Sequence, residues 1–148
     1  MKNLDQIRAH NALAHKDTIA ASQGGGDAIS GFPMLVLTDG LLAALAFACE
    51  WKDSDQQPAG DADLRRQITR PDREGRNRQQ WQKRKHEGEF TVARAIAAHL
   101  HTQNNRITAA ANADALVAEL AAQDSDLLLR RATAEALAFL NYLKRFVA

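Results

Sequence analysis

Apolar residues recur at helical spacing along most of this chain, most clearly near its end. Read at about 3.6 residues per turn, Leu129, Ala132, Ala136, Leu140, Leu143 and Val147 fall on one stripe. Phe139 and Phe146 widen that stripe, and Glu135, Asn141 and Lys144 are placed away from it. Ser125 offers an N-cap, and Lys144 and Arg145 suit the negative end of the helix dipole. Upstream, Leu4 to about Ala21 reads as a first helix behind an Asn3 cap, with Leu4, Ile7 and Ala14 on its apolar side. Gly24-Gly25-Gly26 breaks it. A helix or helix pair follows from about Gly31 to Lys52, with Pro33 in its first turn and Met34, Leu37, Leu41, Ala44, Leu45 and Ala48 as its stripe. Gly40 inside that run predicts a kink or a close helix crossing. Periodicity resumes from Phe90 to about Thr102, stops at Gln103-Asn104-Asn105, and returns after an Asn112 cap at Ala113, Leu116, Val117 and Leu120.

Between Asp53 and about Glu87 the apolar pattern disappears. Pro58, Gly60, Pro71 and Gly75 punctuate this stretch, and no alternation of period two is long enough to predict a strand. It reads as a mobile loop or interaction element, with short helical pieces around Asp63 to Thr69 and Arg76 to Lys85. The expected fold is therefore all-α. It is a compact bundle of five to seven helices in a single domain over 1–148, with a long basic insertion (53–87) between the second and third main helices.

Composition supports the helical reading, since apolar residues make up 45% while aromatics make up only 5%, and alanine leads the apolar set. One cysteine, Cys49, excludes an internal disulfide. The longest run without polar side chains, Gly40 to Cys49, is too short to span a bilayer, and the N-terminus lacks a signal-peptide pattern. A cytoplasmic protein is expected. The formal charge of +1 conceals a segregation. From Leu64 to Lys85, nine basic residues face two acidic ones, a net +7, and the remainder carries ten against sixteen, a net −6. A basic element on an acidic body suits a polyanionic partner.

Candidate chemistry is sparse. Cys49 sits among apolar residues and reads as a small core side chain. The histidines His10, His15, His86, His99 and His101 have no spacing that places two on one helix face as metal ligands, and Gly24-Gly25-Gly26 lacks the lysine and hydroxyl of a nucleotide loop. No metal, cofactor or catalytic residue is expected. Trp81 among Arg78, Lys83, Arg84 and Lys85 suits phosphate pairing with base stacking. Arg130, Arg131, Lys144 and Arg145 form a second basic cluster on the terminal helix.

Three segments resemble the small all-helical subunit family of the type III-B CRISPR effector, the Cmr complex. They are Asp5-Gln6-Ile7-Arg8-Ala9-His10-Asn11-Ala12, the run from Phe32-Pro33-Met34 through Asp39-Gly40-Leu41 to Phe47, and Thr133-Ala134-Glu135-Ala136-Leu137-Ala138-Phe139-Leu140-Asn141-Tyr142-Leu143-Lys144-Arg145-Phe146. The resemblance implies a non-catalytic structural subunit of an RNA-guided antiviral complex. Copies would stack in an inner filament beside the backbone subunits, touch the large subunit, and line the channel where guide RNA meets target RNA. The RNA-contacting candidates are Arg8, Lys16, Arg65, Arg66, Arg84, Lys85, Arg130, Arg131, Lys144 and Arg145. The insertion is longer than the family pattern, so its role does not carry over. A helical DNA-binding regulator reading through Arg130 to Phe146, and a phosphotransfer bundle using His10 or His15, are the alternatives.

Overall fold

The computed structural model describes residues 2–102, 106–124 and 126–147. Its chain order is α1 (Leu4–Ala21), α2 (Gly25–Asp39), α3 (Leu41–Ala48), β1 (Trp51–Ser54), a 3-10 turn (Ala62–Leu64), β2 (Arg65–Pro71), β3 (Asn77–Arg84), α4 (Glu87–His101), α5 (Ala113–Ala122) and α6 (Leu127–Phe146). Helix α4 is the central one, because it is apolar or small around most of its circumference. Phe90, Val92, Ala93, Ala95, Ile96, Ala97, His99 and Leu100 are all buried. Helices α1, α2, α3, α5 and α6 surround it, and α6 also lies along α1.

The expected all-α class is overturned: residues 51–84 form a three-stranded antiparallel sheet of order β1-β3-β2. Where helical pieces were expected around 63–69 and 76–85, the chain runs extended as β2 and β3. The physical reason is that the inward face of this sheet is polar. Gln82 and Arg84 are the buried residues of β3, so no apolar alternation marks it. Lys52, expected at the end of a helix, lies in β1.

Other expectations shift in detail. Helix α1 has the predicted bounds, and Asn3 and Gln6 close a reciprocal capping box at 2.8 and 2.9 Å. Its buried line is Ile7, Ala12 and Ile19, whereas Leu4 is 41% exposed. Helix α2 starts at Gly25, so Pro33 lies mid-helix rather than in the first turn. Gly40, at φ +91°, separates α2 from α3 in a backbone region that side chains rarely adopt. That break rotates the apolar face, so Ala28, Ile29, Phe32 and Val36 are buried in α2 while Met34 and Leu37 face outward. In α6 the stripe is as expected except that Glu135, placed away from it by the sequence, is buried. The Ser125 cap and the Gln103-Asn104-Asn105 stop lie outside the described residues.

Candidate nucleic-acid interface

The basic stretch becomes a sheet through its turn. The Asp72 N–H donates to Arg76 O at 2.8 Å, and Asp72 Oδ1 accepts the N–H groups of Glu74 and Arg76 at 2.9 and 2.8 Å. Asp72 Oδ2 takes Nε of Arg76 and of Arg78 at 3.1 and 3.0 Å. The Arg76 backbone N–H, then the flanking donors, hold its carboxyl below the usual carboxylate range despite desolvation. One carboxylate thus fixes a reversal crowded with arginines.

Side chains alternate across a strand, so the register divides the cations between two faces. The inner face carries Trp51, Asp53, Arg66, Arg70, Gln82 and Arg84. Arg84 is its anchor. Its guanidinium lies 3.6 Å from the Trp51 ring centre and 3.9 Å from that of Phe90. It donates to Asp114 at 3.1 and 2.6 Å, to Cys49 O at 2.9 Å and to Asp63 O at 2.8 Å. Arg66 sits 4.4 Å from the Trp51 centre and donates to Gln82, which donates to Asp53 at 2.9 Å, and Arg70 completes that carboxylate at 2.7 Å. The Gln82 amide lowers the Asp53 pKa most, desolvation opposes it, and the Arg70 hydrogen bond and charge add to the lowering.

The outer face is different in kind. Lys52 lies opposite Lys83, and Lys83 lies opposite Arg65, so three cations cross the sheet in one row. The next row on that face is Ser54, Trp81 and Gln67. Lys52 and Lys83 are exposed, and Trp81 is half-buried. Lys52, Ser54 and Lys83 line a cleft of about 650 Å³ closed by the 56–59 loop and by Glu87, Gly88 and Glu89 of α4. Arg65 holds that loop by donating to Pro58 O at 3.2 Å.

The remaining sequence-predicted residues are scattered. Arg8 donates from Nε and Nη2 to Glu135 at 2.7 and 2.8 Å, so its fork is engaged inside the helical layer. Lys16 pairs with Asp17 at 3.2 Å, and Lys85 with Glu50 at 3.9 Å. Arg130 folds back on Asp126 at 2.7 Å. Arg131, Lys144 and Arg145 are exposed. The structure brings Arg65, Arg66, Arg84 and Lys85 onto or beside one sheet and Arg8 beside Arg145 at a small pocket with Tyr142, but it joins neither group to Arg130 or Arg131. Sequence reasoning missed Lys52, Asp114, His99 and Glu135. Two of them carried a signal, Lys52 in its place just before the 53–87 insertion and Glu135 in its helical spacing from Ala132 and Phe139.

Burial first, then Asp114, pushes the Cys49 thiol up to about 12, so it stays protonated. Among the described residues no cluster of three or more His, Cys, Asp or Glu could hold a metal ion, and no helix is long and apolar enough to cross a membrane.

Comparison with curated proteins and with solved structures found no match. A family model described as CRISPR-associated protein (Cas_Cmr5) matches residues 5–148. A match over nearly the whole chain, including the sheet, places it plainly: this chain belongs to the Cas_Cmr5 family of CRISPR-associated proteins, the small subunits of the type III-B complex.

Proposed function

We propose that this chain acts in the type III-B complex as a non-catalytic structural subunit. It stacks with copies of itself in an inner filament, contacts the backbone and large subunits, and touches guide and target RNA. It works in the cytoplasm as one folded unit. The family match over 5–148 is the observation that carries this reading. Segregated charge supports the RNA contact, since a strongly basic sheet projects from an acidic helical body. A recognition-helix role for α6 has less support, because Ala132, Ala136, Phe139, Leu140 and Leu143 are buried in the core rather than free for a groove.

The test is co-expression with tagged backbone subunits and guide RNA, followed by affinity purification and target-RNA binding. The chain should co-purify with the assembly. Charge removal at the exposed Arg131, Lys144 and Arg145, and separately at Arg65, Arg66 and Lys85, should weaken target binding in at least one set. Failure to co-purify would sink the assembly reading, and unchanged binding in both sets would sink the RNA contact.

A further inference from the structure

The Lys52–Lys83–Arg65 row is an energetic oddity. Directly opposed like charges destabilise a sheet, yet two such pairs share one residue here. On the inner face, Asp53 answers the arginines. On the outer face the paired positions are Lys52, Ser54, Arg65, Gln67, Thr69, Pro71, Asn77, Gln79, Trp81 and Lys83, with no carboxylate among them. Among the described residues, neither Lys52 nor Lys83 has an acidic partner within ion-pair distance. Glu87 and Glu89 also line the cleft, forming no ion pair with either lysine, and Glu87 accepts the Gln23 N–H at 2.6 Å. The row therefore lacks a counter-charge of its own.

We propose that the outer face of the sheet is a binding site for unpaired RNA, with phosphates on Lys52, Lys83 and Arg65 and one base stacked on Trp81. This rests on the RNA-contact reading above and names the site and strand state that it leaves open. Adjacent rows on one face stand about 7 Å apart, which lets one nucleotide place its phosphate on the cationic row and its base on the next. A base inside a duplex is covered by its neighbours, so a single aromatic ring selects unpaired nucleotides. The polar flanks of Trp81, Ser54 and Gln67, add no fixed base code, so binding is tolerant of sequence.

The test uses the full chain alone and a fluorescein-labelled single-stranded RNA of about 12 nucleotides, read by anisotropy across a salt series. A duplex of the same length and polyglutamate serve as competitors. The single strand should bind in preference to the duplex. K52Q/K83Q should lower the log–log salt slope by about 1.4, two phosphates at about 0.7 each. W81A should weaken binding roughly tenfold, and W81F should restore most of it, with both variants keeping the parent's circular dichroism. Equal competition by duplex, or unchanged affinity in W81A, overturns the site while leaving RNA contact elsewhere intact. Competition by polyglutamate as strong as by RNA overturns it in favour of an acidic protein partner. No RNA binding by the parent chain overturns it as well, and co-purification still reads the assembly role separately.

Discussion

His99 and Glu135, on α4 and α6, meet at 2.9 Å between Nε2 and a carboxylate oxygen inside the helical layer. The Asn11 amide donates to His99 Nδ1 at 2.8 Å, which leaves the proton on Nε2 and makes His99 the donor to Glu135. Phe139 stacks on the imidazole at 4.1 Å and 6°. Arg8 supplies the balancing charge to Glu135. One polar cluster thus ties α1, α4 and α6 together.

That cluster makes stability fall in mild acid. Burial lowers the His99 pKa more than the Glu135 contact and charge raise it, so the folded protein resists a proton that the unfolded chain accepts near 6.5. The stability contribution is present above that value and shrinks as pH falls below it. His15, lowered by burial and then by Arg94 and His99, acts in the same window. Burial raises Glu135, but Arg8 and His99 outweigh it and leave the pKa below its ordinary 4.5, which adds a second loss in stronger acid. Urea midpoints at pH 7, 6 and 5 should decline, and the decline between 7 and 5 should be shallower in H99Q and shallowest in H15Q/H99Q. Parallel slopes would refute the assignment.

Arg8→Ala should destabilise by about 3 kcal/mol, because it strands a carboxylate that is only 7% exposed. Removing one partner of a buried ion pair costs about 3–5 kcal/mol, and the low end applies because the Arg8 side chain itself is 19% exposed. Arg8→Lys should recover part of the loss, since one ammonium cannot match the forked hydrogen bonds to both oxygens. Thermal denaturation checks both. A variant of normal stability would return Arg8 to the set of residues free to meet RNA.

How much of this was legible depends on where the polar groups went. Helices α1, α4, α5 and α6 announced themselves because their buried lines are apolar at helical spacing, and Asn3 and Asn112 capped where expected. The sheet did not, because its inward positions are Gln82 and Arg84, satisfied by Asp53 and Asp114 from distant segments. Glu135 was missed for the same reason. It has core spacing relative to Ala132 and Phe139, but its partners Arg8 and His99 are remote in sequence. The surplus of positive charge was readable, yet its division into an internally paired face and an open face depends on strand register.

Arg84→Lys should fail almost as badly as Arg84→Ala. The guanidinium plane sits between Trp51 and Phe90 and also reaches Asp114, Cys49 O and Asp63 O, and an ammonium can do only part of this. Each variant should lose about 2–3 kcal/mol, from the lost ring stacking and the hydrogen bonds to Cys49 O and Asp63 O, and shift Trp51 fluorescence while the helical signal persists at low temperature. Full rescue by lysine would mean that the charge matters and the stacking does not.

Leu140→Ala should cost about 2–5 kcal/mol, because Leu140 is wholly buried on the α6 stripe and truncation leaves a cavity. Leu127→Ala, at a position 64% exposed, is the control and should change stability by no more than about 0.5 kcal/mol. Equal effects at the two positions would mean that the α6 stripe does not face the core.

Gly88 and Gly26 give opposite expectations for the same substitution. Both are helical, so intrinsic propensity alone favours alanine at each by about 1 kcal/mol. A Cβ on Gly26 would meet nothing within 4 Å. Gly26→Ala should therefore raise stability by about 0.5–1 kcal/mol, partly by restricting the unfolded chain. A Cβ on Gly88 would stand 2.5 Å from Gly24 O, 2.6 Å from Gly24 C and 2.9 Å from Gly25 N. All three are backbone atoms, so no side chain can swing aside. Relief requires moving the start of α4 away from the α1–α2 junction. That seam also holds the Glu87–Gln23 bond, the Thr91–Gly88 bond at 2.7 Å and the Thr91–Ser22 contact at 3.0 Å. Steric strain exceeds the propensity gain, and Gly88→Ala should lose about 1–3 kcal/mol. Melting temperatures of the two variants should move in opposite directions. If both rise, the close approach of α4 to the glycine turn is not a feature of the folded protein.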